Sequence, residues 1–113
     1  MPWVYDPHSG GVKIPPENYW DINKEIDDYA RTRPWYSKVK LKIRFKSQFC
    51  YIDTQADSDE RPFQLCRLRN LNRGWSFALY TYSHERYEPC IFSNGEWTGS
   101  IHDILEICEP FIE

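Results

Sequence analysis

No apolar run in this 113-residue chain exceeds four residues, far short of the roughly 20 a membrane-spanning helix needs. The opening MPWVYDPHSGG lacks a charged region followed by an apolar one, so the expectation is a soluble, unexported, cytoplasmic protein without a membrane partner. Glycine is sparse, with five residues, and none builds a phosphate-cradling loop. Cysteines stand at 50, 66, 90 and 108 with no CxxC pair, each in an apolar neighbourhood. That pattern points to reduced core thiols, with two disulfides as the alternative. Neither these cysteines nor His8, His84 and His102 fall at the close spacings of a structural zinc site, so neither metal nor cofactor is expected. His84 with Glu88, four apart in a turn and strand, comes nearest.

What the chain does have is apolar and aromatic mass. Hydrophobic residues make up 41% and aromatics 17%, enough for burial to offset the entropy of ordering one domain over residues 1–113. A net charge of −3 gives no global field for nucleic acid.

Residues 1–14 read as a loop or docked arm, with the turn formers Asp6 to Gly11 after the apolar Trp3, Val4 and Tyr5. Tyr19, Ile22, Ile26, Tyr29 and Ala30 lie on one helical face, which predicts an amphipathic helix over 16–31 that Pro34 brings to an end. Its other face carries Glu17, Asp21, Glu25, Asp27 and Asp28. Strands are expected over 36–46, 48–54, 63–70, 75–82 and 86–93, with an acidic loop over 55–62 and turns at 72–74 and 83–85. Pro89 assigns the fifth strand to an edge or a bulge. Asn94-Gly95 signals a two-residue type I′ hairpin into a short strand over 96–98. Ser100, with Asp103 three residues on, caps a final helix that buries Ile101, Ile104, Leu105 and Cys108 and stops at Pro110.

The pattern Trp75-x-Phe77-Ala78, Tyr80, Tyr82-Ser83, Arg86-Tyr87-Glu88-Pro89, Gly95-x-Trp97-x-Gly99, followed by an acidic amphipathic helix, resembles a group of small uncharacterised bacterial proteins. The resemblance spans about the last 40 residues and implies no activity.

The sharpest local feature is YSKVKLKIRFK, residues 36–46. Val39, Leu41, Ile43 and Phe45 alternate with Lys38, Lys40, Lys42, Arg44 and Lys46, so one strand face is apolar and the other cationic. Arg67 and Arg69 repeat the sign on the third strand. If Tyr80 and Tyr82 lie on that side, rings interleave with cations as on sheets that bind single-stranded nucleic acid. The alternatives are a lysine face that stays wet and discourages edge pairing, an acidic protein partner, or neutralisation by Asp53, Asp57, Asp59 and Glu60.

Spacing along the chain assigns no base to a cysteine or serine, and His84 and His102 both read as solvent-facing, which points away from an enzyme. Trp20, Trp35, Trp75 and Trp97 could instead line a pocket between helices and sheet.

The reading is therefore one α+β domain: an N-terminal helix, an antiparallel meander of five to six strands and a C-terminal helix, both helices on one sheet face. Its expected function is a small non-enzymatic binding or adaptor module for a protein or nucleic-acid partner. The binding residues would be Lys38, Lys40, Lys42, Arg44, Arg67, Arg69, Tyr80 and Tyr82. The alternative is a small enzyme or ligand binder with an aromatic-lined pocket, in which a histidine meets a cysteine. Oligomeric state is left open.

Overall fold

A computed structural model describes residues 10–71 and 74–112. The N-terminal arm over 1–9, including His8, and the turn residues Asn72 and Arg73 lie outside the described residues. Pro16–Asn18 form a single 3-10 turn that leads into helix α1, Tyr19–Arg31. Strands β1 (Val39–Lys46), β2 (Phe49–Ala56), β3 (Phe63–Leu71), β4 (Gly74–Thr81) and β5 (Arg86–Cys90) follow, then α2 (Ile101–Cys108) and a 3-10 turn over Glu109–Phe111. The strands form one five-stranded antiparallel sheet in sequence order. The meander leaves β1 and β5 as its edges, and Pro89 sits on an edge strand, where a missing ladder donor is tolerated.

The period-two alternation of the strands sorts the side chains. Phe45, Cys50, Leu68, Phe77 and Cys90 are successive cross-strand partners, and Ile43, Ile52, Cys66 and Leu79 make the next row. Both helices cover this face: Ile22, Ile26, Tyr29 and Ala30 of α1 and Ile101, Ile104, Leu105 and Cys108 of α2 join its strands in one apolar core. Ser100 caps α2, its hydroxyl accepting the Asp103 amide at 3.1 Å.

Local expectations differ from the structure at three places. β1 begins at Val39, because the Lys38 and Val39 amides both donate back to the Trp35 carbonyl in a turn. The strand expected over 86–93 ends at Cys90. At Asn94-Gly95 only the glycine has a positive φ, 86°. The Gly95 amide donates to the Phe92 carbonyl and the Phe92 amide to Glu96, each at 2.8 Å. That is a three-residue loop with glycine in the left-handed position, not a two-residue type I′ turn. The expected strand over 96–98 is irregular chain, and only Gly99 pairs, with Trp75. Gly99 lies so close to buried Phe92 that a Cβ there would meet its ring at 2.4 Å.

One polar cluster fastens the helical layer. Trp35, 1% exposed, lies between α1 and β1. Its indole Nε1–H donates to both carboxylate oxygens of Glu109, at 3.0 and 2.6 Å. The Tyr29 hydroxyl donates to the same carboxylate at 3.2 Å, and Arg33 pairs with it at 3.2 Å. Burial and the adjoining Glu109 charge push the Tyr29 hydroxyl up to about 12. Replacing Glu109→Ala leaves the buried indole donor without its acceptor and should lower unfolding free energy by about 2 kcal/mol. Urea titration of Glu109→Ala, Trp35→Phe and the double variant should show the double losing less than the sum of the singles.

Candidate functional site

Directly opposed residues in a sheet point to the same side, so the register decides where the expected binding residues lie. Arg44, Tyr51, Arg67, Ala78 and Pro89 form one row on the face away from the helices, and Lys46, Phe49, Arg69 and Ser76 form another. Lys42 pairs with Asp53, and Tyr80 pairs with Tyr87 on this same side. Cations and tyrosines thus share a face, as the sequence pattern allowed.

The rings make a connected layer. Phe49 contacts Tyr51 at 6.0 Å between centroids, Tyr51 contacts Tyr87 at 5.7 Å, and Tyr87 contacts Tyr80 at 5.0 Å. Tyr80 meets Tyr82 at 4.8 Å, and Tyr82 meets Phe63 at 6.4 Å. Most of these are edge-to-face contacts, the geometry that suits ring quadrupoles. Ala78 is buried in the middle of this face. Its small side chain leaves room above it for the large ones.

This layer divides the cations into two kinds. Arg44 bonds Asp53 through Nε at 3.0 Å and Nη2 at 3.3 Å, and its guanidinium lies 4.8 Å from the Tyr51 ring centre. Arg67 sits 4.4 Å over Phe49 and 5.1 Å over Tyr87. Arg69 is only 7% exposed and donates to the Ser76 hydroxyl at 3.1 Å. Gly11, at φ 91°, packs so closely that a Cβ there would come within 2.9 Å of the Arg69 side chain. The arm carrying Gly11 is bound at Val12, whose amide donates to the Asn70 carbonyl at 2.8 Å. Arg69 therefore departs from its expected role: it is a buried structural cation because the arm closes over it.

The lysines are the other kind. Lys38, Lys40, Lys42 and Lys46 are exposed along β1 and the turn before it. No ion pair joins any of them to a carboxylate among the described residues. Among the described residues the acidic loop forms no ion pair with them. Asp59 instead closes the end of β2, its carboxylate accepting the Ala56 amide at 2.8 Å, while Asp53 serves Arg44.

Among the described residues no histidine is hydrogen-bonded to a cysteine. All four cysteines are free thiols, and burial pushes Cys50 up to about 12. Cys66 is raised by its bond to Cys108 and by burial. His84 is hydrogen-bonded with the Glu88 carboxylate, which it holds below its ordinary range. His102 is bonded with Glu106 at 2.7 Å and sets its edge against Tyr29. Among the described residues no three His, Cys, Asp or Glu gather as metal ligands, and no helix is long and apolar enough to cross a membrane.

The tryptophans do not make a common pocket. Trp35 is core, Trp75 is half-buried, and Trp20 is 68% exposed on α1. A groove of about 530 Å³ lies instead between α1 and β1, with Ile26 and Ala30 on one wall and Val39, Leu41 and Ile43 on the other. It holds none of these tryptophans. Its one legible signal in the sequence is that the strand beside it comes first in a meander and so lies at an edge.

No protein-family model, curated protein or solved structure matches the chain.

Two measurements check the division of the cations. Arg67→Ala strips the guanidinium from two rings and should cost about 1–2 kcal/mol in urea unfolding. Lys40→Ala should stay within about 0.5 kcal/mol of wild type. The second measurement is alkaline stability. Tyr29 and Tyr87 both titrate near 12 in the folded state, chiefly through burial, against about 10 when unfolded. The folded chain holds those protons more tightly, so their contribution is full below about pH 10 and falls as pH rises toward 12, while the Cys50 thiol, also held up to about 12 by burial, adds a loss that begins near its unfolded value of about 8.5. Urea midpoints at pH 9, 10 and 11 should decline in that order.

Proposed function

We propose that this chain is a small binding module without chemistry of its own, which takes an anionic partner along the lysine-lined edge of β1. The observation that carries the reading is the split among the cations: Arg44 and Arg67 are engaged with rings and Asp53, and Arg69 is buried, while the β1 lysines face solvent with no carboxylate partner among the described residues. Successive lysines on a strand face repeat about every 7 Å, the same interval at which an extended chain presents alternate side chains. An acidic protein segment matches that repeat.

Single-stranded nucleic acid is the second reading, favoured by Tyr82 and Phe63, which are 54% and 49% exposed and in ring contact. Stacking on such rings is tolerant of sequence. Against it, Phe49 and Tyr87 already carry Arg67 on a face, and Tyr51 carries Arg44. Burial of Cys50, Cys66 and Cys108, which raises the Cys50 and Cys66 thiols, supports binding over catalysis by these groups.

Fluorescence anisotropy tests both readings, using a labelled acidic peptide and single- and double-stranded oligonucleotides at low and physiological salt. The acidic peptide should bind with micromolar affinity that weakens as salt rises. Lys40→Gln/Lys42→Gln should weaken it roughly tenfold. Gln is used because a Glu at 42 would stand opposite Asp53 and disturb the fold. Tighter binding of single strands, lost in Tyr82→Ala, would transfer the function to nucleic acid.

A further inference from the structure

We infer that β1 accepts an extended peptide of alternating apolar and acidic residues as an added strand, its apolar side chains entering the groove beside α1. This rests on the reading of β1 as the anion-binding edge and names the partner's chemical class.

The first support is the phase of the backbone hydrogen bonds. Among the described residues β1 has β2 on one side and no strand on the other. In an antiparallel pair, bonded and non-bonded residue pairs alternate. The Asp57 amide donates to the Lys38 carbonyl at 3.1 Å, which fixes that alternation: Lys40, Lys42, Arg44 and Lys46 exchange bonds with β2. Leu41, Ile43 and Phe45 then direct their amides and carbonyls outward. None of these outward groups has a backbone partner among the described residues. An edge of this kind is a template for another strand.

The second support is the groove. The residues with free backbone groups are the same ones whose side chains face the helix layer. Leu41 and Ile43 are half-buried, and with Ile26 and Ala30 of α1 they enclose about 530 Å³. Both ends of this opening are held. At one end Phe45 stacks on Tyr19, with centroids 4.0 Å apart and planes 7° from parallel. At the other the Tyr36 hydroxyl reaches Asp27 at 3.4 Å. Contacts between α1 and the β1 side thus flank the groove at both ends.

The third support is that both features select the same sequence. Residues of an added strand that stand opposite Leu41 and Ile43 point into the groove and must be apolar. Those opposite Lys40, Lys42 and Arg44 point to the cationic face, where a carboxylate is the complement. From Val39 to Ile43 the groove accommodates roughly five or six residues at about 3.3 Å each. The charges also argue against a second copy of this chain as occupant. Two β1 edges paired with each other would set lysine against lysine, a destabilising cross-strand arrangement. The lysines that keep the edge from pairing with itself are those that would admit an acidic strand.

The test uses the full chain and three labelled octapeptides: one alternating Val and Glu, one of the same composition in Val-Val-Glu-Glu order, and the alternating one N-methylated on every second amide. Anisotropy should give micromolar binding for the alternating peptide and about tenfold weaker binding for the other two, in the form of each methylated peptide that removes the bonding amides. Amide hydrogen exchange read by NMR should slow at Leu41 and Ile43 when the alternating peptide binds, and change little at Lys40 and Lys42, whose amides already bond β2. Asn23→Trp, an exposed position on the groove wall, should block the peptide while leaving the urea midpoint near wild type. Leu41→Pro should also weaken binding, since it removes an outward amide that no ladder bond uses. Equal binding of the alternating and block peptides, with no slowing at Leu41 and Ile43, overturns strand addition while the anion-binding reading stands. Failure of all three acidic peptides to bind at low salt overturns both. Slow exchange of these two amides in the free protein, together with a dimer in gel filtration, assigns the edge to a second copy and also overturns the proposal.

Discussion

The carboxylate of Glu109 is the constraint on which the helical layer depends. It accepts the Trp35 indole, the Tyr29 hydroxyl and Arg33, so it joins α1, the connection to β1 and the C-terminal turn at one point. A buried indole N–H must find an acceptor, and here residue 109 comes back to residue 35 to supply it. That closure ties Tyr29 of α1 and Trp35, just before β1, to the same carboxylate. The Tyr19–Phe45 stack holds the opposite end of the groove. The surface proposed to bind a partner is thus flanked by bonds that lie outside it.

The far face of the sheet solves a different problem. Among the described residues no helix covers it, yet Asp53, Arg69, Ser76 and Ala78 are buried there. Over Arg69 the cover is the segment at Gly11, and elsewhere it is made by the strands' own side chains, tyrosines and Phe49 in contact with one another and with arginine guanidinium groups on them. Arginine suits this position because its planar, weakly hydrated cation stacks on rings and still bonds a carboxylate, which a lysine ammonium does less well. That chemical difference separates the cations of one face into structural and available sets. Charge counted along the sequence treats them alike.

The position of the available set on an edge strand gives it meaning. In the middle of a sheet, four lysines would offer only a diffuse positive surface. At the edge they flank unpaired backbone groups, and on their other side the same strand presents apolar residues to a groove. In the proposed complex main-chain pairing, apolar insertion and charge act on one extended ligand, the combination that gives strand-adding domains both affinity and selectivity.

Local periodicity determined much of this protein. The helix over 16–31, the alternation over 38–46, the serine cap of α2, the edge position of Pro89 and the antiparallel meander were all legible from spacing, because each depends on neighbours within a few residues. The shared face of cations and tyrosines was legible as a condition, met once the register was known. What the sequence could not decide were the properties that need distant residues. The turn at Asn94-Gly95 took a three-residue form, and the chain after it made a single bridge to Trp75 rather than a strand. Arg69 was closed off by an arm from the other end of the chain, Asp53 rather than the acidic loop took Arg44, and Glu109 met Trp35 across 74 residues. The groove beside β1 belongs with these, since a strand's apolar face is seen in its own residues but whether a helix covers it fully or leaves a gap depends on where tertiary contacts stop the helix.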